Sequence, residues 1–155
     1  MLGGWKTNGI WRFSTGQPLA VSLVGSQALP TYGSQRPNLT GELKRTSSEN
    51  FRDQYFANPE AVAAPAPFTI GNAPRTISSV RSPGVNNANL SLFKAFGLNV
   101  LREGAKIEVR GEFFNAFNHP QFCGPNTTLD GGIFGQVTGT CSPPREVQLG
   151  LKLYW

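Results

Sequence analysis

The chain has 155 residues, 14 Lys+Arg against 9 Asp+Glu for a formal net charge of +5, and only 15% charged residues. Its length fits one domain, its charged share lies well under the roughly 25% of an ordinary soluble domain, and no apolar run approaches the ~20 residues of a membrane helix. Eleven Phe, three Trp and three Tyr argue against disorder throughout, because so many rings need burial. The 18 Gly and 12 Pro follow no collagen-like period. The cations lie singly along the chain, the densest pair being Lys44-Arg45, so the basic cluster of a nucleic-acid surface is missing. The opening Met1-Leu2-Gly3-Gly4-Trp5 has neither the charged n-region nor the apolar h-region of a secretory signal. What remains is a β-rich architecture.

Four segments alternate with the period of two that gives a strand two unlike faces. In the first, about 4–23, Trp5, Trp11, Phe13, Leu19, Val21 and Leu23 share odd parity, opposite Lys6, Asn8, Arg12, Ser14 and Ser22. The second, about 88–98, gathers Leu90, Leu92, Phe96 and Leu98 on one side, where Lys94 interrupts them. The third, about 105–118, is the clearest: Lys106, Glu108, Arg110 and Glu112 alternate with Ile107, Val109, Gly111 and Phe113. Phe114-Asn115 then swap the pattern and Phe117 restores it. The fourth, about 146–155, sets Val147, Leu149, Leu151, Leu153 and Trp155 against Glu146, Gln148, Gly150, Lys152 and Tyr154.

The connections are unequal. Asn99 to Gly104 is a short turn with a glycine for a positive φ. Residues 24–87 and 119–145 are long stretches rich in Pro, Gly, Ser, Thr and Asn, and loops of that length count against a compact soluble domain. Strand, long loop, strand, short turn, strand, long loop, strand is the order of a transmembrane β-barrel wall, with long extracellular and short periplasmic connections. The expected fold is therefore all-β: antiparallel strands forming the last part of a transmembrane β-barrel, with long extracellular loops, in the bacterial outer membrane. On this reading Lys106, Glu108, Arg110, Glu112 and Lys152 face the lumen. Val109, Leu149 and Leu151 face lipid, and Trp5, Trp11, Phe113, Phe117 and Trp155 supply the aromatic girdles. The alternative is a secreted soluble β-sandwich that binds carbohydrate on an aromatic platform.

The last residues, with Gln148, Gly150, Leu153 and Trp155 at spaced positions, resemble the C-terminal assembly signal that the barrel insertion machinery reads, with Trp in place of the usual Phe. Further segments resemble Oar-like TonB-dependent transporters. They are Gly4-Trp5, Ser14-Thr15-Gly16-Gln17-Pro18, Arg36-Pro37-Asn38-Leu39-Thr40-Gly41, Tyr55-Phe56-Ala57-Asn58-Pro59, Gly71-Asn72-Ala73-Pro74-Arg75 and Ser82-Pro83-Gly84-Val85-Asn86. The most distinctive is Arg110-Gly111-Glu112-Phe113-Phe114-Asn115-Ala116-Phe117-Asn118-His119-Pro120-Gln121-Phe122, ahead of Phe134-Gly135-Gln136-Val137. The resemblance runs over nearly the whole chain and matches only the C-terminal end of the family. It implies a barrel of about 22 strands around a plug, driven through TonB. Residues 1–155 are then a C-terminal barrel fragment that does not transport alone. Its expected partners are the rest of the barrel, the plug, the insertion machinery, TonB and outer-membrane lipid.

Chemical motifs are scarce. No G-x-S-x-G, P-loop or G-x-G-x-x-G occurs, so no enzyme activity, catalytic residue or cofactor is expected. His119 is the sole histidine, and its spacing to Cys123 and Cys141 matches no metal-ligand pattern. Both cysteines fall in the last long loop, where an oxidising envelope favours a disulfide over two free thiols.

Overall fold

The computed structural model describes residues 3–25, 28–29, 33–129 and 132–155, the backbone alone at 28–29. Positions 26–27, 30–32 and 130–131 of the two expected loops, and Met1-Leu2 of the opening segment, lie outside the described residues. The chain divides into two compact units.

The first unit comprises residues 1–14, 85–121 and 142–155. It is built on four long strands: β1 (Trp5–Ser14), β2 (Val85–Gly97), β3 (Lys106–Phe114) and β4 (Glu146–Tyr154). They form one antiparallel sheet in the order β1-β2-β3-β4. At 10, 13, 9 and 9 residues they exceed the usual five or six of a globular strand and match the ~9–11 that cross a bilayer. The register is unbroken, so Trp5, Lys94, Val109 and Leu151 form one rung, and Thr7, Leu92, Gly111 and Leu149 the next rung on the same face. Residues 98–105 close the β2–β3 hairpin, with Gly104 at φ 82° and the Leu98 amide donating to Ala105 O at 2.7 Å. The two long connections leave the sheet from its other end, where Ser14 faces Val85 and Phe114 faces Glu146. β1 and β4 are both edges, and the sheet is not closed.

The strand limits correct the sequence reading. The first strand stops at Ser14 rather than running to residue 23. Pro18–Leu19 pairs instead with Ile77–Arg81, and Ser22–Leu23 pairs in parallel with Thr128–Leu129. Shared parity from Trp5 to Leu23 therefore hides a change of partner. The cause is the pyrrolidine of Pro18, which removes a ladder donor, together with Gly16, where a Cβ would overlap the Ser82 carbonyl. The third strand ends at Phe114 rather than 118 because Asn115 adopts φ 48° and Asn118 φ 53°. Left-handed residues cannot continue a pleated ladder.

The second unit, residues 15–84 and 122–141, is where the sequence reading expects only loops. It has a core of its own, centred on Leu43, Tyr55, Phe56 and Val80, each fully buried, with Val21, Val62, Ala73, Ile77 and Val137 around them. Edge-on aromatic contacts run from Phe122 through Phe51 and Tyr55 to Phe56, which meets Phe134 at 5.0 Å. Few regular strands are needed because the quoted motifs bind one another's backbones. Asn72 accepts from the Leu39 amide at 2.6 Å and donates to Leu39 O, while its own amide donates to Asn38 Oδ1. Asn58 accepts from the Lys44 amide and donates to Glu42 O, as a strand neighbour would. The Gln17 amide donates to Ser82 Oγ and the Ser82 amide to Gln17 O, and the Tyr55 amide donates to Gly135 O. Apart from the 3-10 turn Pro59–Ala61, the named elements of both units are strands.

Candidate membrane interface

The pleat and the register together sort the side chains of the first unit into two faces. One face carries Trp5, Trp11 and Phe13 from β1, Leu90, Leu92 and Phe96 from β2, Ile107, Val109 and Phe113 from β3, and Val147, Leu149, Leu151 and Leu153 from β4. It is open to its surroundings. Leu149 is 82% exposed, Leu151 69%, Trp11 70% and Phe13 75%. Water does not tolerate so large a contiguous apolar patch on a soluble monomer, and a sandwich would bury it under a second sheet. Lipid is the solvent it suits.

The reverse face is polar. Lys6, Asn8 and Arg12 come from β1, Asn89 and Ser91 from β2, Lys106, Glu108, Arg110 and Glu112 from β3, and Gln148 and Lys152 from β4. The alternation of sign expected along β3 is used: Arg110 lies 3.4 Å from Glu108 and 3.9 Å from Glu112. Its guanidinium also rests 4.6 Å over the ring of Phe93, its register partner. Lys106 and Lys152 both approach the ring of Tyr154, at 4.6 and 4.8 Å. Ile10, Phe93, Phe114 and Tyr154 are apolar interruptions of this face, and cations lie over the rings of Phe93 and Tyr154.

The girdle residues lie towards strand ends. Trp5 is at the end of β1 nearest the short turn, and Trp11 and Phe13 are nearer the long connections. From Trp5 to Phe13 is about 26 Å along the strand, or about 20 Å of depth at a 40° tilt, close to the ~25 Å apolar band of outer-membrane barrels. Trp11 leans on Phe117 at 6.4 Å and donates its indole N–H to Asn86 Oδ1 at 2.8 Å. Phe117 itself lies beyond β3 and is 57% exposed. Of the residues expected to form an assembly signal, Leu153 shares the apolar face, Gln148 and Gly150 lie on the polar face, and Trp155 follows the last strand residue, 83% exposed.

The motif Asn115 to Gln121 has a role that sequence reading did not assign. Asn115 is buried, and its Oδ1 accepts from the His119 amide at 3.0 Å. Its Nδ2 donates to the carbonyls of His119 and Pro143, and its amide donates to Asn89 Oδ1. Gln121, also buried, accepts from the Asn86 amide and donates to Asn86 O. Asn118 Oδ1 takes the Arg145 amide. These side chains satisfy the backbone where β3 leaves and β4 enters the sheet, as buried polar groups must be satisfied. The signal was present: Asn is the residue, after Gly, that enters the left-handed region.

Cys123 and Cys141 are bridged, with Cα atoms 4.9 Å apart. His119 has its ring 6.1 Å from Phe117. Among the described residues no three His, Cys, Asp or Glu side chains converge on a metal position, and no helix is long and apolar enough to cross a membrane. Burial raises the Tyr55 phenol above its usual range, and Arg45, whose guanidinium lies 5.0 Å over the ring, opposes that rise.

A family model described as an outer membrane beta barrel domain matches residues 1–148. The chain belongs to the outer membrane β-barrel domain family. No curated protein and no solved structure matches it. A member of this family is a protein of the bacterial outer membrane.

Proposed function

We propose that the chain is the C-terminal wall of an Oar-like TonB-dependent transporter, a barrel of about 22 strands that admits a solute too large for porins. The single observation that carries this reading is a four-stranded, bilayer-length sheet with two unpaired edges. Four strands are half of the smallest barrel's ~8, and open edges invite pairing, so β1 and β4 await further strands of a larger wall. The order of the motifs along the chain supports the finer, Oar-like assignment. In the complete protein, TonB would work on an upstream plug, and the lumen charges Lys106, Glu108, Arg110, Glu112 and Lys152 would face that plug or the passing solute. The last strand, through Gln148, Gly150, Leu153 and Trp155, would be read by the insertion machinery. The segment performs no catalytic step and takes no cofactor.

The test is the genomic DNA upstream of Met1. An in-frame continuation encoding a plug and about 18 more alternating strands is expected. A short continuation that completes only a small, plugless barrel would remove the transporter assignment and keep the barrel.

A further inference from the structure

The lipid face carries one anomaly. Among the strand residues on that face, all of which are described, Lys94 is the single charged side chain. Its ammonium is held at a fixed place, 4.8 Å over the Trp5 ring, 5.5 Å over the Phe96 ring, and donating to Gly3 O. Beside it runs an apolar groove of about 330 Å³, a volume within the range of small-molecule sites. The groove exists because Gly111 has no side chain between Leu92 and Leu149 on its rung, while Trp5, Val109 and Phe113 stand up around it. An apolar trough with one cation at its rim has the layout of a lipid: a chain for the trough and an anion for the rim.

We propose that this groove binds one acyl chain of an anionic glycerophospholipid whose phosphate meets Lys94. The position selects the lipid. Lys94 lies three residues from Gly97, at the short-turn end of β2, which faces the periplasm in a barrel of this family. The leaflet there is phospholipid, whereas lipopolysaccharide occupies the outer one. A lysine that only snorkelled would need an interface and no groove. The orientation rests on the transporter reading's placement of short turns, although the site does not need TonB.

The experiment uses the complete barrel protein, delipidated in detergent, incubated with phosphatidylglycerol or with lipopolysaccharide and weighed by native mass spectrometry. The wild type retains one phosphatidylglycerol. Gly111→Leu fills the groove, and its new Cβ is compatible with the fold, since it would meet Phe113 and Leu149 at 3.6 and 3.9 Å, ordinary contact. Lys94→Gln removes the charge. Lys94→Gln lowers retention about tenfold, the scale of losing one charge-assisted hydrogen bond, and Lys94→Arg restores it; Gly111→Leu, by occupying the trough, abolishes retention. Equal retention in wild type and variants overturns the proposal, and so does retention of lipopolysaccharide in place of phosphatidylglycerol. Retention with no plug encoded upstream would leave the lipid site standing and remove only the transporter, so the two failures are distinct.

Discussion

Leu151 and Gln148 sit near the middle of the same strand, on opposite faces. If the apolar face meets hydrocarbon, Leu151→Arg places a guanidinium within the apolar band, on the rung of Lys94 and Trp5, where the cost is at most the about 2–4 kcal/mol of the bilayer midplane. That is at most about 30- to 700-fold in the folding equilibrium at 1.4 kcal/mol per tenfold. The side chain is 69% exposed in this chain, so the cost arises from lipid and not from disrupted protein packing. Gln148→Arg adds the same charge on the wet face, where Lys152 already stands, and should cost within ~0.5 kcal/mol, as surface changes do. The assay is the fraction of complete protein that migrates as heat-modifiable barrel after insertion into vesicles, read across a urea series. A large loss for Leu151→Arg with near-wild-type behaviour for Gln148→Arg is expected. Equal behaviour of the two would refute the facing assignment, because only the environment on either side of the sheet distinguishes them.

Asn115→Ala removes the acceptor for the His119 amide and the donor to Pro143 O. It also leaves a left-handed residue without its side-chain support, so a loss of about 2–3 kcal/mol is expected in barrel stability. Asn115→Gly, which keeps the backbone freedom, should lose less. Gly71→Ala drives a Cβ into the Arg36 and Pro37 carbonyls and should destabilise the second unit by at least about 1–3 kcal/mol, seen as faster trypsin cleavage after Lys44 or Arg45 on intact cells. Replacing Cys123 and Cys141 by Ser opens a closure of sequence separation 18 and should cost about 3 kcal/mol by chain entropy; unchanged protease resistance would contradict this. Tyr55 is held protonated by burial and donates to Arg81 O. With burial raising its folded pKa above the ordinary phenol value, its contribution is complete below that ordinary value and is lost as pH rises through the folded one. Tyr55→Phe should therefore reduce the alkaline instability of the second unit while costing about 1 kcal/mol at neutral pH.

The sheet was legible because its signal is local. Alternation in β3 and β4 gives the faces directly, and the turn at Gly104 fixes how β2 meets β3. The second unit was not legible for the opposite reason. Its bonds join residues far apart in sequence, such as Asn72 with Leu39 and Tyr55 with Gly135, and each pair reads alone as a turn-rich loop. Periodicity carries no trace of such partners. The same limit explains the first strand, where Leu19 and Val21 keep the parity of Trp11 while belonging to another core. Lys94 interrupts an apolar stripe in the sequence, and only the register, which sets it beside Trp5 and Val109, gives it a defined place on the apolar face.

Single-cysteine replacement along residues 146–154, in the complete barrel in vesicles, probes the account at its root, with Cys123 and Cys141 occupied by their own bridge. A membrane-impermeant thiol reagent and a lipid-soluble quencher should divide the strand by parity, the reagent reaching positions 148, 150 and 152 and the quencher 147, 149, 151 and 153. Labelling that ignores parity, or water reaching the odd positions as freely as the even ones, would contradict it.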